Sequence, residues 1–175
     1  MGKKIAAVTG FLLFLGLVLA QGQTQGSLDP AVRERLRAYQ PVFELSSTVR
    51  LLLEMDGQRG LSFTKAQAQR LLSLLKRLRT LPDLKPKEAE KILVEIEDKI
   101  LTPAQLKWLD TRRLELQRER QNRQGPPPGQ GPRQGGQGPG GRAFQALLQG
   151  EPFNPFRQGR GAEDLEALIA RLERR

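Results

Sequence analysis

The carboxylates Glu88, Glu95 and Glu97 are the residues in this sequence that general acid–base chemistry would call on. Such chemistry needs two groups whose surroundings push their pKa values apart. Here the carboxylates are flanked by lysines at salt-bridge spacing, which predicts a solvated, ion-paired helix face. The chain contains no histidine and no cysteine. That removes the commonest general base, the commonest metal ligand, thiol nucleophiles and disulfides. No nucleophile elbow, phosphate-cradling glycine loop or cluster with metal-ligand spacing is present. The sequence therefore reads as non-enzymatic, with no catalytic residue, no metal and no cofactor.

Cations offer a second kind of chemistry. The net charge is +10, and arginines outnumber lysines 20 to 9. Arg112, Arg113, Arg118, Arg120 and Arg123 concentrate the charge in one stretch, and Arg133, Arg142, Arg157 and Arg160 follow. Forked guanidinium groups suit carboxylate or phosphate. Anionic partners such as phosphorylated glycans, acidic lipids, acidic unfolded chains or extracellular DNA fit this surplus, and so does a plain solvated face. With aromatics at only 5%, stacking on bases is poorly served, which argues against sequence-specific nucleic-acid recognition. Arg113 and Arg120 stand as candidate partner-binding residues.

The elements that must carry these residues are helical. Asp29-Pro30 pairs an N-cap with proline at N1 and opens a helix toward Tyr39. Pro41 imposes a break or kink, and Val42 to about Asp56 follows with apolar residues over a wide face, which implies burial. Asp56-Gly57-Gln58-Arg59-Gly60 supplies the stop. Thr64 to Thr80 carries Ala68, Leu71, Leu72, Leu75 and Leu78 at helical spacing. Pro86 opens a helix with Ala89, Ile92, Leu93, Ile96 and Ile100 on one side and the carboxylates on the other. Thr102-Pro103 opens another, with Leu106, Trp108, Leu109, Leu114 and Leu116 as apolar content and Arg113 interrupting the inner series. From Gln117 to Arg123 no apolar residue remains, predicting a frayed end or a helix projecting into solvent.

Two of these starts share a pattern. Phe63-Thr64-Lys65-Ala66-Gln67 and Leu101-Thr102-Pro103-Ala104-Gln105 each place a threonine three residues before a glutamine. This is capping-box spacing: the hydroxyl accepts from the N3 amide and the glutamine reaches back to the N-cap amide. Phe63 and Leu101 precede the caps as apolar staples toward Ala68 and Leu106. The pair resembles the LT-x-x-Q motif of Spy/CpxP-like periplasmic proteins. Leu101, Thr102 and Gln105 match it fully, and Thr64 and Gln67 match with Phe63 in place of leucine. The resemblance implies an exported, helical, cysteine-poor protein of chaperone or envelope-stress type.

The ends of the chain bear on location and assembly. Lys3 and Lys4, the apolar run from Ile5 to Leu19 and the small residue Ala20 have the build of a secretory signal peptide over residues 1–20, cleaved near Ala20. The apolar run, about 16 residues, falls short of the roughly 20 needed to span a bilayer. Export to the periplasm or cell envelope is expected. Residues 124–142 change to Gly, Pro and Gln, the composition of a disordered linker. In the tail at 143–175, Leu165, Leu168, Ile169 and Leu172 share one helical face. That face needs cover from the chain's own core, another protomer, another protein or a membrane surface. These four are candidate partner-binding residues, with Arg113 and Arg120.

The expectation is an all-α chain: a small antiparallel helical bundle at 29–123, a disordered linker at 124–142 and a short amphipathic C-terminal helix. Its expected function is non-enzymatic binding of envelope or exported proteins, chaperone-like or adaptor-like. The alternative is a structural or anionic-polymer-binding envelope protein, and a bundle of this size also allows a homodimer.

Overall fold

The computed structural model describes residues 29–123 and 145–175. The expected signal peptide at 1–20, the leader at 21–27 and the linker at 124–142 lie outside them, as do Arg133, Arg142 and Phe144.

Among the described residues every regular element is a helix: α1 Pro30–Ala38, α2 Gln40–Asp56, α3 Lys65–Thr80, α4 Pro86–Lys99, α5 Pro103–Arg123, α6 at 145–149 and α7 Gly159–Leu172. Their starts follow local chemistry. Asp29 accepts the Ala31 amide at 2.7 Å, and Pro30 needs no donor in the first turn. Pro41 sits in the first turn of α2, where its missing N–H costs nothing, so it begins a helix after Tyr39 and does not kink one. Lys85 opens α4 without a side-chain cap and relies on Pro86.

Helix α2 is the hub. Its buried residues, Val42, Leu45, Val49, Leu51, Leu52 and Met55 among them, point in too many directions for one neighbour to cover. Helices α4, α5 and α7 all pack against it, and α7 also packs against α3. α3 contributes Ala68, Leu71, Leu75 and Leu78 to the core, and α4 contributes Ala89, Ile92, Leu93 and Ile96. α5 gives less than its composition suggests. Leu109 is buried, and Trp108 and Leu116 lean on the core. Leu114 is 54% exposed, on the outer side.

The tail corrects the expected division at residue 123. Leu165, Leu168, Ile169 and Leu172 are each 3% exposed or less, packed within the same core as α2 and α3. They are not free to meet a partner. A helix this short is marginal in isolation, and burial in the trough over α2 and α3 supplies what it lacks. Leu147, Phe153 and Phe156 bury beside it, and Phe153 meets Tyr39 edge-on with ring centroids 6.1 Å apart. Asn154 fixes the turn. Its side-chain nitrogen donates to the carbonyls of Leu78 and Leu81 at the end of α3, and its oxygen accepts the Phe156 amide. Gly161, in the first turn of α7, lies so close to this turn that a Cβ there would run into the Pro155 carbonyl oxygen.

If α7 is core, Leu168→Ala should lower stability by about 3 kcal/mol, as a buried leucine truncation does. Urea denaturation of the full chain measures this. A change of only a few tenths would mean that α7 contributes little to the fold.

Candidate functional site

The two T-x-x-Q motifs come together. Each closes its own capping box. Gln67 Oε1 accepts the Thr64 amide at 3.0 Å and Thr64 Oγ1 accepts the Gln67 amide at 3.2 Å. The corresponding distances at the start of α5 are 2.9 and 3.3 Å. Each glutamine also has an NH2 group left over, and both turn it toward the other motif. Gln67 Nε2 donates to Gln105 Oε1 at 2.7 Å and to the Ile100 carbonyl at 2.8 Å. Gln105 Nε2 donates to the Leu61 carbonyl at 2.9 Å. The starts of α3 and α5 are thus tied to each other and to the chain just ahead of each box. Phe63 and Gln105 are buried, Gln67 and Leu101 half-buried, and Thr64 and Thr102 face solvent. The chemistry is positional: these residues fix two helices and present no reactive group.

A second cluster pins α7. Asp56, the last residue of α2, has a carboxylate wholly shielded from solvent. One oxygen accepts the Phe63 amide at 2.9 Å and Arg175 Nη2 at 2.7 Å. The other lies 3.4 Å from Arg171 Nε, in ion-pair range but without hydrogen-bond geometry. A carboxylate at a helix C-terminus opposes the helix dipole, so the guanidinium groups of Arg171 in the last turn of α7 and of Arg175 just beyond it must compensate it. The sequence reading took Asp56 only as part of the helix stop. An acid where the dipole prefers a base was the signal it passed over.

The carboxylates of α4 are ion-paired as expected, but mostly with arginines of neighbouring helices. Arg77 holds Glu88 at 2.6 Å and Arg113 holds Glu97 at 2.5 Å. Glu95 takes Lys99 at 2.7 Å and Arg70 at 3.3 Å. The hydrogen bond from Lys99, with help from Arg70, holds the Glu95 carboxyl below its ordinary value. That is the wrong direction for a group that must carry a proton near neutral pH. Burial raises the Asp164 carboxyl against the opposing pull of Arg50 and Arg160. Among the described residues, no group of three or more His, Cys, Asp or Glu side chains could hold a metal ion. No described helix is long and apolar enough to cross a membrane.

Among the recesses of the described surface is one of about 440 Å³ between α2 and α5, lined by Gln40, Phe43, Glu44 and Ser47 from one helix and Arg113, Leu116, Gln117 and Arg120 from the other. A smaller recess of about 300 Å³, lined by Arg50, Arg112, Leu116, Glu119 and Arg120, adjoins it at Leu116 and Arg120. Phe43 and Leu116 make the half-buried apolar floor. Arg113 turns inward, donating to Thr48 Oγ1 at 2.7 Å as well as pairing with Glu97. Arg112 is held by Glu54, Glu115 and Glu119 at 3.0, 3.1 and 3.7 Å. Of the two arginines expected to meet a partner, Arg113 is committed within the fold and Arg120 lies exposed at the recess. Phe43 was read from the sequence only as part of a buried face. Its place in the floor of the recess depends on where α5 crosses α2.

Gln105→Glu separates the bridge from a simple cap. Glutamate serves a capping box as well as glutamine, but it cannot donate to the Leu61 carbonyl. The variant should lose about 2 kcal/mol at neutral pH, the cost of a buried unsatisfied acceptor beside a new charge. Urea titration checks it, and wild-type stability would reduce the bridge to two independent caps. Replacing Arg171 and Arg175 together by glutamine should cost roughly 3 kcal/mol by stranding the buried Asp56 charge, read from the same titration.

No protein-family model, curated protein or solved structure matches this chain, so the site's geometry and the two motifs are what a functional reading rests on.

Proposed function

We propose that this chain is an exported, non-enzymatic helical protein that binds other proteins of the cell envelope, in a chaperone-like or adaptor-like manner. The observation that carries the reading is the open recess between α2 and α5. Its floor offers the half-buried apolar surfaces of Phe43 and Leu116, and its walls are polar and charged. An apolar floor with a polar rim is the anatomy of a protein-binding patch. The T-x-x-Q resemblance points to the same class, and the signal-like pattern at residues 1–20 to the same compartment. The mechanism differs from the sequence expectation in one respect. With α7 inside the core, the tail offers no tethered second contact, and binding falls to the α2–α5 face.

A second reading, binding of an anionic polymer, draws on the arginines Arg50, Arg112 and Arg120 around the smaller recess. It is weakened by Arg112, which three carboxylates already hold. Salt separates the two readings, because polymer binding weakens steeply with ionic strength and apolar client binding does not.

Light scattering from a denatured client, with and without the full chain, tests the proposal. Suppressed aggregation that persists at high salt and falls in Leu116→Asp is the expected result. No suppression at several-fold molar excess would remove the chaperone form of it.

A further inference from the structure

Resting on that protein-binding reading, we infer that the α2–α5 recess takes an acidic amphipathic helix, seating apolar side chains between Phe43 and Leu116 and a carboxylate on Arg120. The shape argues for a helix. The lining residues fall at 40, 43, 44 and 47 on α2 and at 113, 116, 117 and 120 on α5, the i, i+3, i+4, i+7 series on both. Two helices presenting such rows form the ridges and grooves into which a third helix packs. Helix-in-groove recognition uses anchors at that same spacing.

The charge argues for an acid. Within the recess Glu44 is the native carboxylate, and it faces Arg113 at 3.9 Å. Arg113 in turn is held by Glu97 at 2.5 Å, so this pair is satisfied within the fold. In the adjoining recess Arg112 is held by Glu54, Glu115 and Glu119. Arg120 lines both recesses and has no carboxylate partner among the described residues. It stands four residues beyond Leu116, one turn or about 6 Å along α5. A visiting helix with its apolar anchor over Leu116 therefore meets the free guanidinium one turn further on. A charge at such a rim selects partners by sign more than it adds raw affinity.

The test uses the full chain and three fluorescein-labelled synthetic helices: leucines at helical spacing with glutamates one turn on, its glutamine isostere and its lysine counterpart. Fluorescence anisotropy should show the glutamate helix binding tightest. Arg120→Glu should weaken that binding roughly tenfold and improve the lysine helix, while Lys107→Glu, exposed elsewhere on α5, changes neither. Arg120 is exposed, so its replacement leaves the core intact, and unchanged urea unfolding confirms this. Equal binding of the glutamate and glutamine helices, or an Arg120→Glu variant that binds like the wild type, overturns the inference. If no helix binds while client aggregation is still suppressed, the acidic-helix partner falls and the protein-binding reading stands. If both fail, both fall.

Discussion

The constraint on which this structure depends is the amount of apolar surface that α2 carries. Val42, Leu45, Val49, Leu51, Leu52 and Met55 cannot all face one neighbour, so α2 must be enclosed. α4 covers one side, α5 another and α7 a third. A chain without disulfides, with net charge +10, meets this demand by packing alone. α7 follows from it: with α3, α4 and α5 following α2 through short connections, the trough over α2 and α3 still lacks cover. The amphipathic segment that returns after residue 144 supplies it.

Enclosure by a returning segment brings an electrostatic problem at its far end. α2 stops at Asp56, and the loop to α3 turns back over that carboxylate and buries it. Arg171 in the last turn of α7 and Arg175 just past its end answer the charge. The same contacts that satisfy Asp56 therefore fix how far along α2 the covering helix sits. Gly161, tucked under the Pro155 carbonyl, fixes its other end. Packing drives α7 into the trough, and the two ends hold its register.

The sequence carries much of this and stops at a definite place. Helix starts at Asp29-Pro30, Thr64, Pro86 and Thr102 are legible because capping and proline chemistry act over three or four residues. The inner face of α7 is legible because its spacing is periodic. What covers that face is not, since core, protomer, partner and membrane all demand the same leucines. Asn154 is illegible for a similar reason. Its partners are the Leu78 and Leu81 carbonyls, some 75 residues away in the chain, and an Asn-Pro turn looks the same without them. Leu114 shows the opposite error: an apolar residue on a helix need not lie on its buried face, and Arg113 beside it takes the inner position because Glu97 and Thr48 are there to receive it.

The T-x-x-Q motifs bring these threads to the recess. Read as caps they are structural, and read as a family signature they are functional, but the geometry removes the opposition. Gln105 anchors the start of α5 to α3 and to the Leu61 carbonyl. Two turns on, Arg113 locks α5 to α4 and α2 through Glu97 and Thr48. Between them these contacts set the rotation and tilt of α5 before it reaches Leu116 and Arg120, about 16 to 22 Å from Gln105 along the helix. Beyond Leu116 no apolar residue draws α5 inward, so the recess can stay open. The motif glutamines thus shape the recess through the position of α5, at a distance and without lining it. What matters at that position is the pair of hydrogen-bonding roles: of the two residues a capping box uses at N3, glutamine both accepts and donates, whereas an ionised glutamate only accepts.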